Sequence, residues 1–376
     1  MFALSILLAP AFLALPDRPA EMKPKDTWVG KIVFIRHSGV ELDPAPEPRG
    51  LPPNADEGVL LMANQYRVYS ERTDYVQIKT REGMLGWVKK TELVPLEDAV
   101  AFFSKQIEAN PEDYGALSRR ASAWRFRGEF DAALKDMNEA IRLSADAAAY
   151  NNRGLVWHAK RDYERAIADF SRAIELSQGS ALQFVNRANT WLASGELDRA
   201  AADATRALDV HPLYPEGYRV RGLAHLRKKE FDKAIADFTR AIELDAKHAE
   251  AHAERAAAWS GKRDHARARD DFNHALRLEP ANVTVTASAV LWLASCPDAK
   301  YRDGQRALDL ARTAQQRERG NSFVLQALAA AHAELGQFAE AERWQEQALQ
   351  DPLLKGDKSA RARLESYRNK RPLRLD

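Results

Sequence analysis

The sequence predicts an α+β multidomain protein, in which a small all-β barrel is followed by an all-α superhelical solenoid of helix pairs. Three observations carry that expectation. Between residues 28 and 88, apolar residues alternate with polar ones over short runs, which is the period of β-strands. From residue 114 onward, a pattern of small and large side chains recurs every 33 or 34 positions, the signature of a stacked repeat. Ten of the 17 prolines fall within residues 1–95, so the two regimes also differ in composition.

Taken in order, residues 2–15 form a run of 14 that is apolar apart from Ser5 and Pro10. That is too short for the roughly 20 residues of a membrane-spanning helix. Small residues at Ala9, Ala11 and Ala14 give it the look of a signal-peptide core, although no Lys or Arg precedes it. Residues 1–20 are therefore expected to be a signal peptide, and the chain to be exported to the periplasm or cell envelope; the other reading is a cytoplasmic chain whose amino-terminal segment is buried or docked on a partner. No lipobox-like cysteine follows the run, so a lipid anchor is not expected.

Strand patterns then appear around Trp28-Val29, Ile32 and Phe34, at Tyr66-Arg67-Val68-Tyr69, at Tyr75-Val76-Gln77-Ile78 and at Met84-Leu85-Gly86-Trp87-Val88. The polar stretches 71–74 and 81–83 are turns, and the proline-rich stretch 44–53 is a loop that cannot join a central strand. About 70 residues of short strands imply a small barrel. With Trp28-Val29-Gly30-Lys31 and the ending Gly86-Trp87-Val88, residues 26–95 resemble bacterial Src-homology-three-like barrels. That resemblance implies a unit that binds peptides or cell-wall material, or that serves as a structural cap.

In the array, units starting at 114, 147, 181, 215 and 249 align without gaps. Place 8 is Ala121, Gly154, Ala188, Gly222 and Ala256; place 11 is Trp124, Trp157, Trp191, His225 and Trp259. Place 20 is Ala133, Ala166, Ala200, Ala234 and Ala268, and place 27 is Ala140, Ala173, Ala207, Ala241 and Ala275. Pro111, Pro212 and Pro280 stand where each second helix must end. This pattern resembles tetratricopeptide repeats, in which small residues let two helices approach and the ring fills the gap beside them. Residues 96–110 fit a linking helix, 114–282 five regular repeats, and 283–354 two further repeats. The first of these two has an inserted loop around 296–301, because Trp292 and Ala307 are 15 apart where the regular spacing is 9. Residues 355–376 are expected to be a capping tail, since an array needs a polar end.

Two more columns are invariant within the chain. Place 7 is Arg120, Arg153, Arg187, Arg221 and Arg255, and place 23 is Asp136, Asp169, Asp203, Asp237 and Asp271. A guanidinium fork matches a carboxylate bidentately, so these are expected to form structural ion pairs between helices. Places 2, 5, 9 and 12 make one stripe on each first helix. The tetratricopeptide resemblance implies that this stripe lines a concave groove. Its middle reads Leu155, Leu182, Val185, Leu192, Leu223 and Leu226, flanked by Asn151, Asn189 and Arg219. Exposed apolar side chains there predict a peptide-binding groove, or coverage by the amino-terminal segment or a second copy. No lysine occupies place 5, so the clamp for a terminal carboxylate used by some family members is incomplete.

Other chemistries are excluded. Lys+Arg total 56 against 54 Asp+Glu, a net charge of +2, with 12 against 12 up to residue 95 and 44 against 42 beyond it. Neither part is the basic domain that nucleic-acid binding requires. The single cysteine, Cys296, rules out an internal disulfide framework and a Cys-rich zinc site. No nucleophile elbow, HExxH, Walker or dinucleotide glycine pattern occurs. His248 and His252 have metal-ligand spacing, but one falls in an inter-unit turn and the other at a ring position. No catalytic residue, metal or cofactor is expected. The sequence thus reads as a non-enzymatic scaffold binding a peptide or protein segment in its groove; the alternative is an envelope protein whose barrel binds cell-wall polymer and whose array is a spacer. It names neither the partner nor the oligomeric state.

Overall fold

The computed structural model describes residue 28 and residues 31–37, 40–42, 59–60, 65–72, 74–79, 85–351, 354 and 356–375. The expected signal peptide and the proline-rich loop 44–53 lie outside the described residues. Among the described residues, no helix is long and apolar enough to cross a membrane. The chain divides into two compact units after Thr190.

In residues 21–190, the strands are β1 (Ile32–Ile35), β2 (Glu41–Leu42), β3 (Val59–Leu60), β4 (Gln65–Glu71), β5 (Tyr75–Lys79), β6 (Leu85–Lys89) and β7 (Leu93–Pro95). Five of them form an antiparallel sheet in the order β6-β5-β4-β1-β7, while β2 and β3 pair separately. A barrel was expected from the sequence; among the described residues the sheets do not close, because β6 and β7 are the two edges and no ladder joins them. The period-two pattern explains the packing. Val33 and Ile35 join Val68, Val76, Ile78 and Val88 in one core, while Phe34 between them points the other way. Its ring lies 6.2 Å from Phe103 and 6.3 Å from Phe126, edge-on to both, so the sheet is fastened to the first two helices.

Those helices are α1 (Leu96–Ala109) and α2 (Tyr114–Phe126), followed by α3 (Phe130–Leu143), α4 (Ala147–Lys160), α5 (Tyr163–Ser177) and α6 (Ala181–Ser194). From Trp191 on come α7 (Leu197–Val210), α8 (Pro215–Arg227), α9 (Phe231–Leu244), α10 (Ala249–Gly261), α11 (His265–Leu278) and α12 (Val283–Ser295), then α13 (Gly304–Arg317), α14 (Ser322–Glu334), α15 (Phe338–Ala348) and α16 (Lys358–Arg368). Helix starts follow from side-chain caps. The carboxylates of Asp113, Asp146, Asp162 and Asp264 each accept a backbone N–H three residues on, satisfying one of the first-turn donors.

The turn inside each helix pair has its own rule. Place 15 is left-handed in every regular unit: Gly128, Arg161, Gly195, Lys229 and Arg263 have φ of 79°, 66°, 89°, 61° and 63°. The alanines of places 20 and 27 are fully buried in all five units, so each pair closes on methyl groups. Gly154 and Gly222 mark a close approach within their helix pairs. A Cβ there would lie 2.8 Å from the rings of Phe170 and Phe238.

Between α12 and α13, a short 3-10 turn at Ala299–Tyr301 carries the extra residues. Arg302 fixes it by donating to the carbonyls of Cys296 and Pro297 at 2.8 and 3.0 Å and to Glu334 at 2.8 Å. The chain end returns to α12, where the Leu375 N–H donates to the Ser295 carbonyl at 2.9 Å.

Candidate functional site on the first helices of the repeats

The arginine column is built into the scaffold. Arg120, Arg153, Arg221 and Arg255 each place Nε and Nη2 on the two carboxylate oxygens of Asp136, Asp169, Asp237 and Asp271, at 2.7–3.0 Å. Arg187 donates through Nη1 to Ser171 at 2.9 Å, and Asp203 accepts from the Trp191 indole at 3.1 Å. The aspartates are buried and the arginines partly so. The third guanidinium nitrogen makes a contact the sequence did not reveal. Nη1 of Arg120, Arg153 and Arg255 donates to Ser104, Asn138 and Thr239 on the preceding second helix, at 2.9–3.1 Å. One arginine therefore ties its own pair and the pair before it. A second, exposed series joins Lys160 to Asp131, Lys228 to Asp198 and Lys262 to Asp232, again between consecutive units.

The apolar stripe differs from its expectation. Val185, Leu192, Leu223 and Leu226 are only 1–3% exposed, and Leu155 and Leu182 are half-buried. The first four are core, not an open apolar surface. The reason is tertiary: α8, for example, is packed against α7, α9 and α10, and these neighbours cover the places that a single-helix projection leaves free.

What the first helices do share is a polar row at places 5 and 6. In residues 21–190, Asn152 donates to the Ser118 hydroxyl at 2.9 Å, Asn151 to Asn152 at 3.5 Å, and Asn186 to Asn151 at 2.8 Å. The Asn189 Oδ1 is buried with no partner among the described residues. One turn away, the buried His158 Nδ1 lies 2.9 Å from the Thr190 hydroxyl, which itself donates to the Asn186 carbonyl. The hydroxyl must therefore accept from Nδ1–H. Burial, helped by Arg125 and Arg161, pushes this histidine down to about 4.

In residues 191–376, the row becomes ionic. Arg219 holds both oxygens of Glu216 at 2.6 and 2.8 Å and one oxygen of Glu254 at 2.6 Å. His248 stands 3.6 Å from Glu216 and 3.4 Å from Glu250, and Asn282 donates to Glu250 at 2.6 Å. Burial opposes charge on His248, yet its bonds to Glu216 and Glu250 outweigh that and raise it to about 9. Burial likewise drives Glu254 up to about 7, although Arg219 and His248 pull the other way. Sequence reasoning found Arg219 but missed Glu216, Glu250 and Glu254, whose only signal was a charged residue at places 2 and 6. His252 is not part of this cluster: its Nδ1 faces Asp271 at 3.3 Å and its ring centroid lies 4.4 Å from that of His274, the two rings tilted by 44°. Among the described residues, no group of three acidic, histidine or cysteine side chains is arranged to hold a metal.

Residues 147–180 and 185–249 match family models described as tetratricopeptide repeat, and the helix pairs within them are repeats of this type. Yeast Tom70 is similar in fold, with 18% identity, 73% of this chain and 59% of that chain covered, and a TM-score of 0.55. A tetratricopeptide repeat protein from Parabacteroides merdae is 16% identical over 68% of this chain and 99% of its own, with a TM-score of 0.53. The APC/C hetero-tetramer Cut9-Hcn1 gives 16% identity, 72% and 52% coverage, and a TM-score of 0.55. The chain thus spans about three fifths of the yeast protein and half of the APC/C chain. No curated protein matches the sequence. At these identities the likeness is one of fold.

Proposed function

We propose that this chain is a non-enzymatic interaction scaffold, and that its first helices hold a peptide or protein segment through polar contacts rather than through burial of an apolar face. The observation that carries this is the hydrogen-bonded row Ser118, Asn152, Asn151 and Asn186 across three successive first helices, beside the unpaired Oδ1 of Asn189. Side-chain amides offer both donor and acceptor, which suits the backbone of an extended segment. Export directed by residues 1–20 is part of this reading, as is a Src-homology-three-like character of residues 26–95. The strand order β6-β5-β4-β1-β7 supports the latter. A photo-crosslinking residue at Leu155, on a first helix, should capture the partner from native cells, while one at Leu176, on a second helix, should not. Capture at Leu176 alone would refute the assignment.

A further inference from the structure

The last three helices bury polar atoms that have no partner among the described residues. Arg363 on α16 is 3% exposed, and its Nε and Nη2 have no partner among the described residues. The Tyr367 hydroxyl, both amide atoms of Gln326 and the Gln345 Oε1 are likewise buried and unpaired. These groups lie on the packed helices α14, α15 and α16. The Gln345 amide donates to the Ala360 carbonyl at 3.0 Å, one turn before Arg363, and Tyr367 lies one turn after it. Tyr367 packs against Ala329 and Ala333 of α14, and Gln326 sits one turn earlier on that same face.

Buried polar groups are almost always hydrogen-bonded, and a buried unpaired cation is the costliest exception. Nε and Nη2 form one edge of the guanidinium. In Arg120, Arg153, Arg221 and Arg255 that edge receives both oxygens of an aspartate. In Arg363 neither atom of the edge is paired. Burial also pushes the Arg363 guanidinium below its ordinary pKa, although Tyr367 and the Asp357 carboxylate pull the other way, and a bidentate anion on the open edge would relieve that strain.

We propose that Arg363, Tyr367 and Gln326 form a binding site for a small carboxylate anion, held bidentately on the Nε/Nη2 edge with the phenol and the amide as further donors. The near-complete burial of Arg363 and Tyr367 selects a free anion over a side chain of a partner protein. Entry requires only local opening of α16, which packs on α15. The site is separate from the first-helix row and does not depend on what that row binds.

The full chain, titrated with acetate against chloride at constant ionic strength, should show a saturable rise in melting temperature and one calorimetric site per chain. Arg363→Met should weaken acetate binding by about tenfold or more, the loss of a bidentate charge-assisted pair. It should nevertheless be at least as stable as the parent in chloride, because an unpaired buried charge has been removed. An unsaturable response, or an equal response in Arg363→Met, overturns the site. If Arg363→Met does not fold, Tyr367→Phe decides: weaker acetate binding supports the proposal, and unchanged binding overturns it.

Discussion

Replacing Asp169 with alanine tests whether the Arg–Asp pairs stabilise the array. In the native protein, Arg153 gives Asp169 two short charge-assisted bonds, at 2.7 and 2.8 Å. The aspartate side chain is 8% exposed and the arginine 24%. Removing one partner of a fully buried pair costs about 3–5 kcal/mol, whereas exposed pairs are worth under about 1 kcal/mol. Arg153 keeps its bond to Asn138 and some access to water, so the expected loss is about 2–3 kcal/mol. Asp131→Ala is the matched control: its partner is Lys160, its side chain is 88% exposed, and the expected loss is below about 0.5 kcal/mol. Urea unfolding followed by far-ultraviolet circular dichroism reads both. Repeat arrays unfold through neighbour-coupled units, so the Asp169 loss appears as a lower midpoint or an early sub-transition. A curve superimposable on that of the parent would show that the pair is solvated decoration.

Three further outcomes are expected. His158 is neutral and buried, with its pKa lowered from 6.5 to about 4, so the folded state binds fewer protons than the unfolded one. Its contribution is present above pH 6.5 and is lost as the pH falls toward 4, to a total of about 3 kcal/mol; His158→Gln should flatten that part of a stability–pH profile, and an unchanged slope would contradict it. Leu223→Asp buries a carboxylate on α8 and should cost more than about 3 kcal/mol, visible as lost helicity on mild heating; a melt like that of the parent would show the position to be open groove after all. Lys229 has φ of 61°, so Lys229→Gly should raise stability by up to about 1 kcal/mol, and a loss of stability would mean that the Lys229 side chain contributes more than its backbone strain costs.

The repeat itself was legible because it is written in nearest neighbours along the chain. Alanine or glycine at places 8, 20 and 27 must sit where helices touch, and a large ring must sit beside them, whatever the rest of the molecule does. The arginine and aspartate columns were legible for the same reason: a fixed separation of 16 residues within one helix pair becomes a fixed geometry. The strands at the amino end could be read from alternation, but alternation says only which face a side chain takes. Whether the sheet closes depends on which edges meet, and among the described residues β6 and β7 do not.

The same limit governs the site. The helical projection correctly put Leu223 and Leu226 on one stripe of α8, but exposure is set by the helices packed alongside, and those bury both residues. The links from Asn152 to Ser118 and from Arg219 to Glu254 join residues 34 and 35 positions apart, on neighbouring first helices. Sequence determined the period, the helix pairs and the closing alanines, since these depend on local sterics. Only the stacking of units decided which polar side chains meet, which leucines leave solvent, and that Arg363 is buried with the Nε and Nη2 edge of its fork unpaired among the described residues, because such partnerships rest on distances no single helix contains.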